Sequence, residues 1–182
     1  MKFLYLPIFY LISSLLTASL IILINLSANL IWLTSQGFDI SIKMFFELLL
    51  KDISNVMPAI ELIDDRDANY DGLDPLSLAC DNAWSGGLVI GEPIYNWQEK
   101  DFQNIQSSCE WNQEPKLTTG VLDAKPFENL CWLINELHSR KSELKPGMII
   151  ITGSVFKVRQ ANVGDKINHI LSDRGKVSIS VI

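Results

Sequence analysis

The sequence predicts a strand-rich α+β domain behind an N-terminal hydrophobic helix. Three observations carry that reading. From Leu88 onward, short apolar runs bounded by turn residues recur at Leu88 to Gly91, Met148 to Ile151, Val155 to Val158, Lys166 to Leu171 and Val177 to Val181, as buried or half-buried strands do. One longer segment, Pro126 to Arg140, repeats its apolar residues at helical spacing. The chain also opens with a stretch, Phe3 to Phe38, that contains no charge.

A length of 182 residues predicts one domain with an appendage. The division expected is a hydrophobic leader over residues 1–38 and a folded domain over 39–182, long enough to bury a core. A net charge of −6 and a pI near 4.9, with no basic stripe, argue against a nucleic-acid surface. The three cysteines, Cys80, Cys109 and Cys131, have the spacing of neither a zinc site nor a disulfide framework. Cys131 falls on an apolar helix face. Cys80 is expected to pack as well, although it is the thiol whose reactivity is worth testing.

In the leader, Leu15 to Leu26 is the densest apolar part. A membrane span needs about 20 apolar residues, so one helix could cross. A secretory signal peptide is the rival, with a poor cleavage site because Leu26-Ser27-Ala28 puts a bulky residue where a small one is preferred. A buried core helix is a third reading, weakened by apolar residues on every side. Ser41 to Asp52 has helical spacing at Ile42, Phe45, Phe46, Leu49 and Leu50, with a strand over Phe45 to Leu50 as the alternative. Pro58 then opens a short buried strand, Ile60 to Ile63, with Glu61 inside it. A carboxylate among apolar neighbours is costly unless paired or ligated, and strand alternation could equally turn it to solvent. Asp64, Asp65, Arg66, Asp67 and Asp71 follow in a polar loop, and most of them read as solvated loop charges.

Leu78 to Pro93 holds an Asp-Asn-Ala-x-Ser-Gly-Gly turn that runs into a strand. Gly86 and Gly87 allow backbone to approach backbone or ligand. Asp81, Asn82 and Ser85 put three polar groups on that turn, either as part of a small-molecule site or as a structural Asx turn. Pro93 to Pro115 is irregular, with Trp97 and Trp111 as packing anchors. The helix at Pro126 starts with a well-placed proline and has one stripe, Phe127, Leu130, Cys131, Ile134 and Leu137. His138 reads as a cation at the helix end rather than a base. Lys145-Pro146-Gly147, Val163-Gly164-Asp165 and Asp173-Arg174-Gly175 supply turns, and Val177, Ile179 and Val181 alternate with Ser178 and Ser180, as in a half-exposed antiparallel strand. His169 lies within a strand and is read as structural.

Four segments, in chain order, resemble motifs of the 2-keto-4-pentenoate hydratase family within the fumarylacetoacetate hydrolase superfamily. They are Pro58 to Arg66 (PAIELIDDR), Asp81 to Gly91 (DNAWSGGLVIG), Pro126 to Leu137, and Leu144 to Ser154 (LKPGMIIITGS). The likeness covers about residues 56–182. It implies the mixed, mostly β roll of that superfamily, with a few helices. It also implies a lyase that adds water to a small unsaturated 2-oxo acid of the aromatic-breakdown type, with a decarboxylase as the related alternative. The family's site uses three carboxylates on a divalent ion, Mg²⁺ or Mn²⁺, whose preference for hard oxygen ligands fits such a set.

Carried over by this resemblance, Glu61 is a metal ligand, Asp81, Asn82 and Ser85 are the catalytic polar groups, and Thr152 with Gly153 meets the substrate carboxylate. Three departures from the family bear on the metal site and the bend. The Glu-x-Glu pair is reduced to Glu47, flanked by Phe45 and Leu49; Trp84 stands at a usual serine position; and the apolar leader replaces the region that supplies the remaining ligands and a substrate-binding lysine. Two functions follow: a metal-dependent hydratase of reduced efficiency, or a non-catalytic, membrane-associated relative that keeps the fold for binding or structure. The expected partners are a small 2-oxo acid, a membrane reached through residues 3–38 and, as a candidate, a second copy of the chain. The expected location is membrane-anchored or exported to the periplasm, with the cytoplasm, as in the family, as the alternative.

Overall fold

Residue 60 sits at the centre of the architecture, where two antiparallel sheets face each other. The computed structural model describes residues 14–24, 53–142, 144–172 and 174–182. In chain order the strands are β1 (Ser14–Ile24), β2 (Ile53–Asp64), β3 (Ser85–Ile90), β4 (Gln106–Trp111), β5 (Leu117–Gly120), β6 (Ile149–Ser154), β7 (Arg159–Gln160), β8 (Lys166–Leu171) and β9 (Gly175–Ser180). The helices are α1 (Pro75–Cys80), between β2 and β3, and α2 (Pro126–Ser139), between β5 and β6. One sheet is five-stranded in the order β3-β2-β1-β6, with β7 also on β1; the other is four-stranded in the order β5-β4-β8-β9. The ladders among the described residues are antiparallel.

The expected hydrophobic helix is corrected by β1. Residues 14–24 pair with β2 from Ser14↔Asp64 to Ile24↔Ile53, and with β6 and β7 on the other side. A run that is apolar on every side suits a lipid-facing helix or a strand within a covered sheet, and periodicity alone cannot separate them. Partner strands decide in favour of the sheet. Among the described residues no helix is long and apolar enough to cross a membrane. The rest of the leader and Ser41 to Asp52, including Glu47, lie outside the described residues.

Between the sheets, Ile60 of β2 packs with Cys109 and Trp111 of β4, Ile167 of β8 and Val177 of β9, all buried. A second cluster joins the helix to the sheet ends: Phe127, Leu130, Cys131 and Ile134 of α2 bury against Ile150, Val56, Trp97 and Phe102. The helix starts at Pro126, as its sequence predicts, and four of the five expected stripe residues are buried. Trp97 and Trp111, expected as anchors, are 2% and 5% exposed.

Strand β4 had no sequence signal. Gln106-Ser107-Ser108-Cys109-Glu110-Trp111 has no apolar run, yet it forms β4 because β8 and β5 pair along both its edges. Asn112 locks that register: its backbone N–H donates to the Lys166 carbonyl at 2.8 Å, and its side-chain oxygen accepts from the Lys166 N–H at 2.8 Å. Conversely, Val155 to Val158, expected as a strand, is a bend and coil between β6 and β7. Gly91 is a true close approach: a Cβ there would stand 2.6 Å from the Lys176 carbonyl oxygen and 2.9 Å from Pro58.

Candidate active site

Glu61 lies on β2 opposite Leu88 of β3 and Thr17 of β1. Strand alternation puts it on the face away from Ile60. That outer face carries a smaller cluster, Met57 and Ala59 with Leu88, Ile90 and Ile151 packed against them. The Glu61 carboxyl is half-buried, and burial pushes its pKa up. No donor or cation among the described residues reaches it, so it is a desolvated acid of the kind a bound cation would stabilise.

The described residues supply only that one member of the expected carboxylate set. Among them, no group of three metal-ligating side chains comes together. The strand beside Glu61 reads Ser-Leu-Leu-Thr-Ala-Ser-Leu-Ile-Ile-Leu-Ile and contains no acid. Glu47 precedes the start of β2 at Ile53 by a short link.

The Asp-Asn-Ala bend stands at the far end of the same strand pair. Asp74 caps α1, its Oδ1 accepting from the Leu76 and Ser77 N–H groups at 2.9 and 3.0 Å. Asp81 follows, and then Asn82, Ala83 and Trp84 all take left-handed backbone conformations, φ 51°, 49° and 60°, which is strained for residues with a Cβ. Ser85 enters β3 opposite Ile63, and Gly87 opposite Leu62. Gly86 is favoured here, since a Cβ would crowd the Leu62 carbonyl oxygen at 3.0 Å; Gly87 has no such constraint, with its nearest neighbour at 3.8 Å.

Polar ties hold the bend. The Arg66 Nη1 donates to Asp81 Oδ1 at 2.5 Å, and the Tyr70 hydroxyl donates to Asp65 Oδ2 at 2.5 Å. The Trp84 ring meets Tyr70 edge-on at 5.4 Å. Asp65, expected as a solvated charge, is therefore corrected to a buried anchor, 7% exposed. Cys80, expected to pack, is exposed.

Thr152 and Gly153 sit across β1 from Glu61's strand. Ile151 pairs with Ile21 and Ser154 with Ser19, and the register shifts between them, at the step that holds Thr152 and Gly153. Gly153 makes this irregularity with φ 99°. Thr152 is 3% exposed, and its carbonyl accepts from Asn129 Nδ2 at 2.7 Å. Asn129 also donates to the Ala124 carbonyl at 2.8 Å, so this helix residue pins the strand end. Sequence reasoning missed it, because an asparagine on a helix face gives no sign of which carbonyl it will reach. A cavity of about 580 Å³ opens on the other face of β2, lined by Ile60 rather than Glu61, and includes none of the expected site residues.

His169 is structural, as expected, and has two partners. Its Nδ1 is 3.1 Å from the Ala59 carbonyl oxygen, which can only accept, so the proton sits on Nδ1 and Nε2 accepts from the Ser107 hydroxyl at 2.9 Å. Burial pushes its pKa down to about 4. At 1% exposure for each residue, this Ser–His pair meets no substrate; it ties the two sheets together.

No family profile matches the sequence. Over 134 residues the chain is 31% identical to the 2-oxo-hept-4-ene-1,7-dioate hydratase of Escherichia coli, a match spanning 68% of this chain and 49% of that enzyme. It is 25% identical over 126 residues to the 2-hydroxyhexa-2,4-dienoate hydratase of Comamonas testosteroni, spanning 68% of this chain and 47% of the relative. The chain thus spans about half the length of the curated relatives it matches. Its fold superimposes on the 4-oxalocrotonate decarboxylase of Pseudomonas putida G7, solved with magnesium and adipate, with a TM-score of 0.76 at 24% identity over 94% of this chain and 62% of the other.

Proposed function

The chain belongs to the fumarylacetoacetate hydrolase superfamily, and from that premise we propose that it forms part of a hydratase-type lyase that adds water to a small unsaturated 2-oxo acid. The observation that carries this reading is Glu61, a half-buried carboxyl whose pKa burial raises and which no described donor satisfies. It pairs with Leu88 of β3, the strand that the Asp81-Asn82 bend leads into. Glu61 would hold a divalent cation, Mg²⁺ or Mn²⁺, as one member of a set whose other members lie outside the described residues. Bound there, the cation would supply Lewis acidity toward a keto oxygen.

The chain's own groups have separate tasks in this proposal. Asn82 and Ser85, both exposed on the bend, orient the substrate and the incoming water by hydrogen bonds. Asp81, anchored by Arg66, serves as the carboxylate that accepts and returns a proton. Thr152 and Gly153 mark the strand end that receives the substrate carboxylate.

The test is a titration of the purified chain with Mn²⁺ or Mg²⁺ while the absorbance of a 2-hydroxy-2,4-dienoate is followed. Metal-dependent loss of the dienol signal, abolished by Glu61→Gln, is the expected result. A second reading, a non-catalytic relative that keeps the fold for binding, is favoured by the absence of any acid in β1. Absence of turnover at any metal concentration would decide for it.

A further inference from the structure

We infer that the cavity between the β4–β5 hairpin and the 155–159 bend is a binding site for a small amphipathic carboxylate, an apolar body with one anionic head. This site does not rest on the hydratase reading, because Ile60 and Glu61 are neighbours on β2 and face opposite ways. The cavity holds about 580 Å³, within the range of small-molecule pockets. Its floor is Ile60 and Ile167, 1% and 2% exposed, and Val155 and Phe156 form a wall. Cys109 adds a thiol that burial keeps protonated, so it extends the apolar surface.

The polar groups around this cavity are nearly all engaged elsewhere. Arg159 lies 4.4 Å over the Trp111 ring and grips the Glu114 carboxylate with both terminal nitrogens, at 2.9 and 2.8 Å. Thr118 bonds Ser108 at 3.2 Å, and the Thr119 hydroxyl donates to Asp123. Lys157 is different. It lines the cavity from an exposed position and forms no ion pair with a described carboxylate. An apolar interior with, among the described lining residues, one uncommitted cation selects a ligand of complementary form: hydrocarbon inside, carboxylate at the rim.

Calorimetric titration of decanoate into the full chain is expected to show saturable binding. Lys157→Glu should weaken decanoate about two- to fivefold and leave decanol, which has the same tail and no charge, unchanged. Val155→Trp, which fills the mouth, should abolish binding of both ligands; should that variant fail to melt cooperatively, the exposed Lys157→Glu variant decides alone. Three results overturn the inference: no saturable decanoate binding, equal weakening of decanoate and decanol by Lys157→Glu, or decanoate binding lost on Glu61→Gln, on the opposite face.

Discussion

The two faces of β2 differ in what they are built from. Inward, Ile60 meets residues of β4, β8 and β9, and His169 crosses from β8 to bond the Ala59 carbonyl. Outward, Glu61 has a smaller apolar cluster and no described polar partner. The strand then runs into a segment where α1 buries no residue and three successive residues are left-handed. Adjacent positions on one strand therefore carry opposite duties: one face supplies the free energy of folding, and the other accepts a desolvated acid and a strained bend, features that cost stability and suit a site.

The largest effect that sharpens this contrast is at Ile60. Ile60→Ala removes a side chain that is 1% exposed and should cost about 2–5 kcal/mol, read as a fall in the denaturation midpoint at unchanged slope. An effect near zero would mean that the inter-sheet cluster is not the stabilising face.

His169 comes next, through pH. Its folded pKa is about 4, below its ordinary 6.5, so the native state favours the neutral ring. The stabilisation is complete above pH 6.5 and is lost as pH falls toward 4, because the unfolded chain takes up a proton that the folded chain refuses. Over that window the loss should approach about 3 kcal/mol. His169→Gln, which can still donate to the Ala59 carbonyl, should flatten the stability profile between pH 6.5 and 4.5 relative to the parent chain. Parallel profiles would contradict the buried neutral ring.

Glu61 has the opposite sign. Its folded pKa is raised, so ionisation works against folding once pH passes the unfolded value, and the penalty persists at neutral pH. Glu61→Gln should raise the melting temperature slightly while removing any metal-dependent stabilisation by Mn²⁺. A variant that melts lower than the parent would identify Glu61 as a structural partner instead.

How much of this was legible in the sequence follows the same division. Helix α2 and strands β8 and β9 were readable because a packed face imposes a period on the residues that fill it. The site motifs were readable as strings, and Gly86 sits at a tight backbone approach, as its type suggests. What failed was whatever depended on a distant partner. β4 is polar by composition and is a strand through its ladders; Leu15 to Ile24 looks like a helix until β2 and β6 are beside it; Asp65 looks solvated until Tyr70 reaches it. The local pattern leaves Glu61 evenly between a buried, partnered position and a solvent-facing one; in the fold its carboxyl is half-buried, on the face opposite Ile60, because the sheet partners decide which face is covered.

The smallest expected effect on stability tests the contrast through the cysteines. Cys80 ends α1 and is exposed, whereas Cys109 and Cys131 are buried on the inner side, where burial pushes both thiols up. Thiolate is the reactive form, so access and ionisation act together at the two buried thiols: the exposed Cys80 should react with an aromatic disulfide reagent in the native protein, and the other two only on unfolding. Cys80→Ser should change stability by less than about 0.5 kcal/mol and should remove the fast phase entirely. If native labelling instead consumed all three thiols at similar rates, the inner face would be opening as readily as the bend, and the separation of stability from chemistry across β2 would not hold.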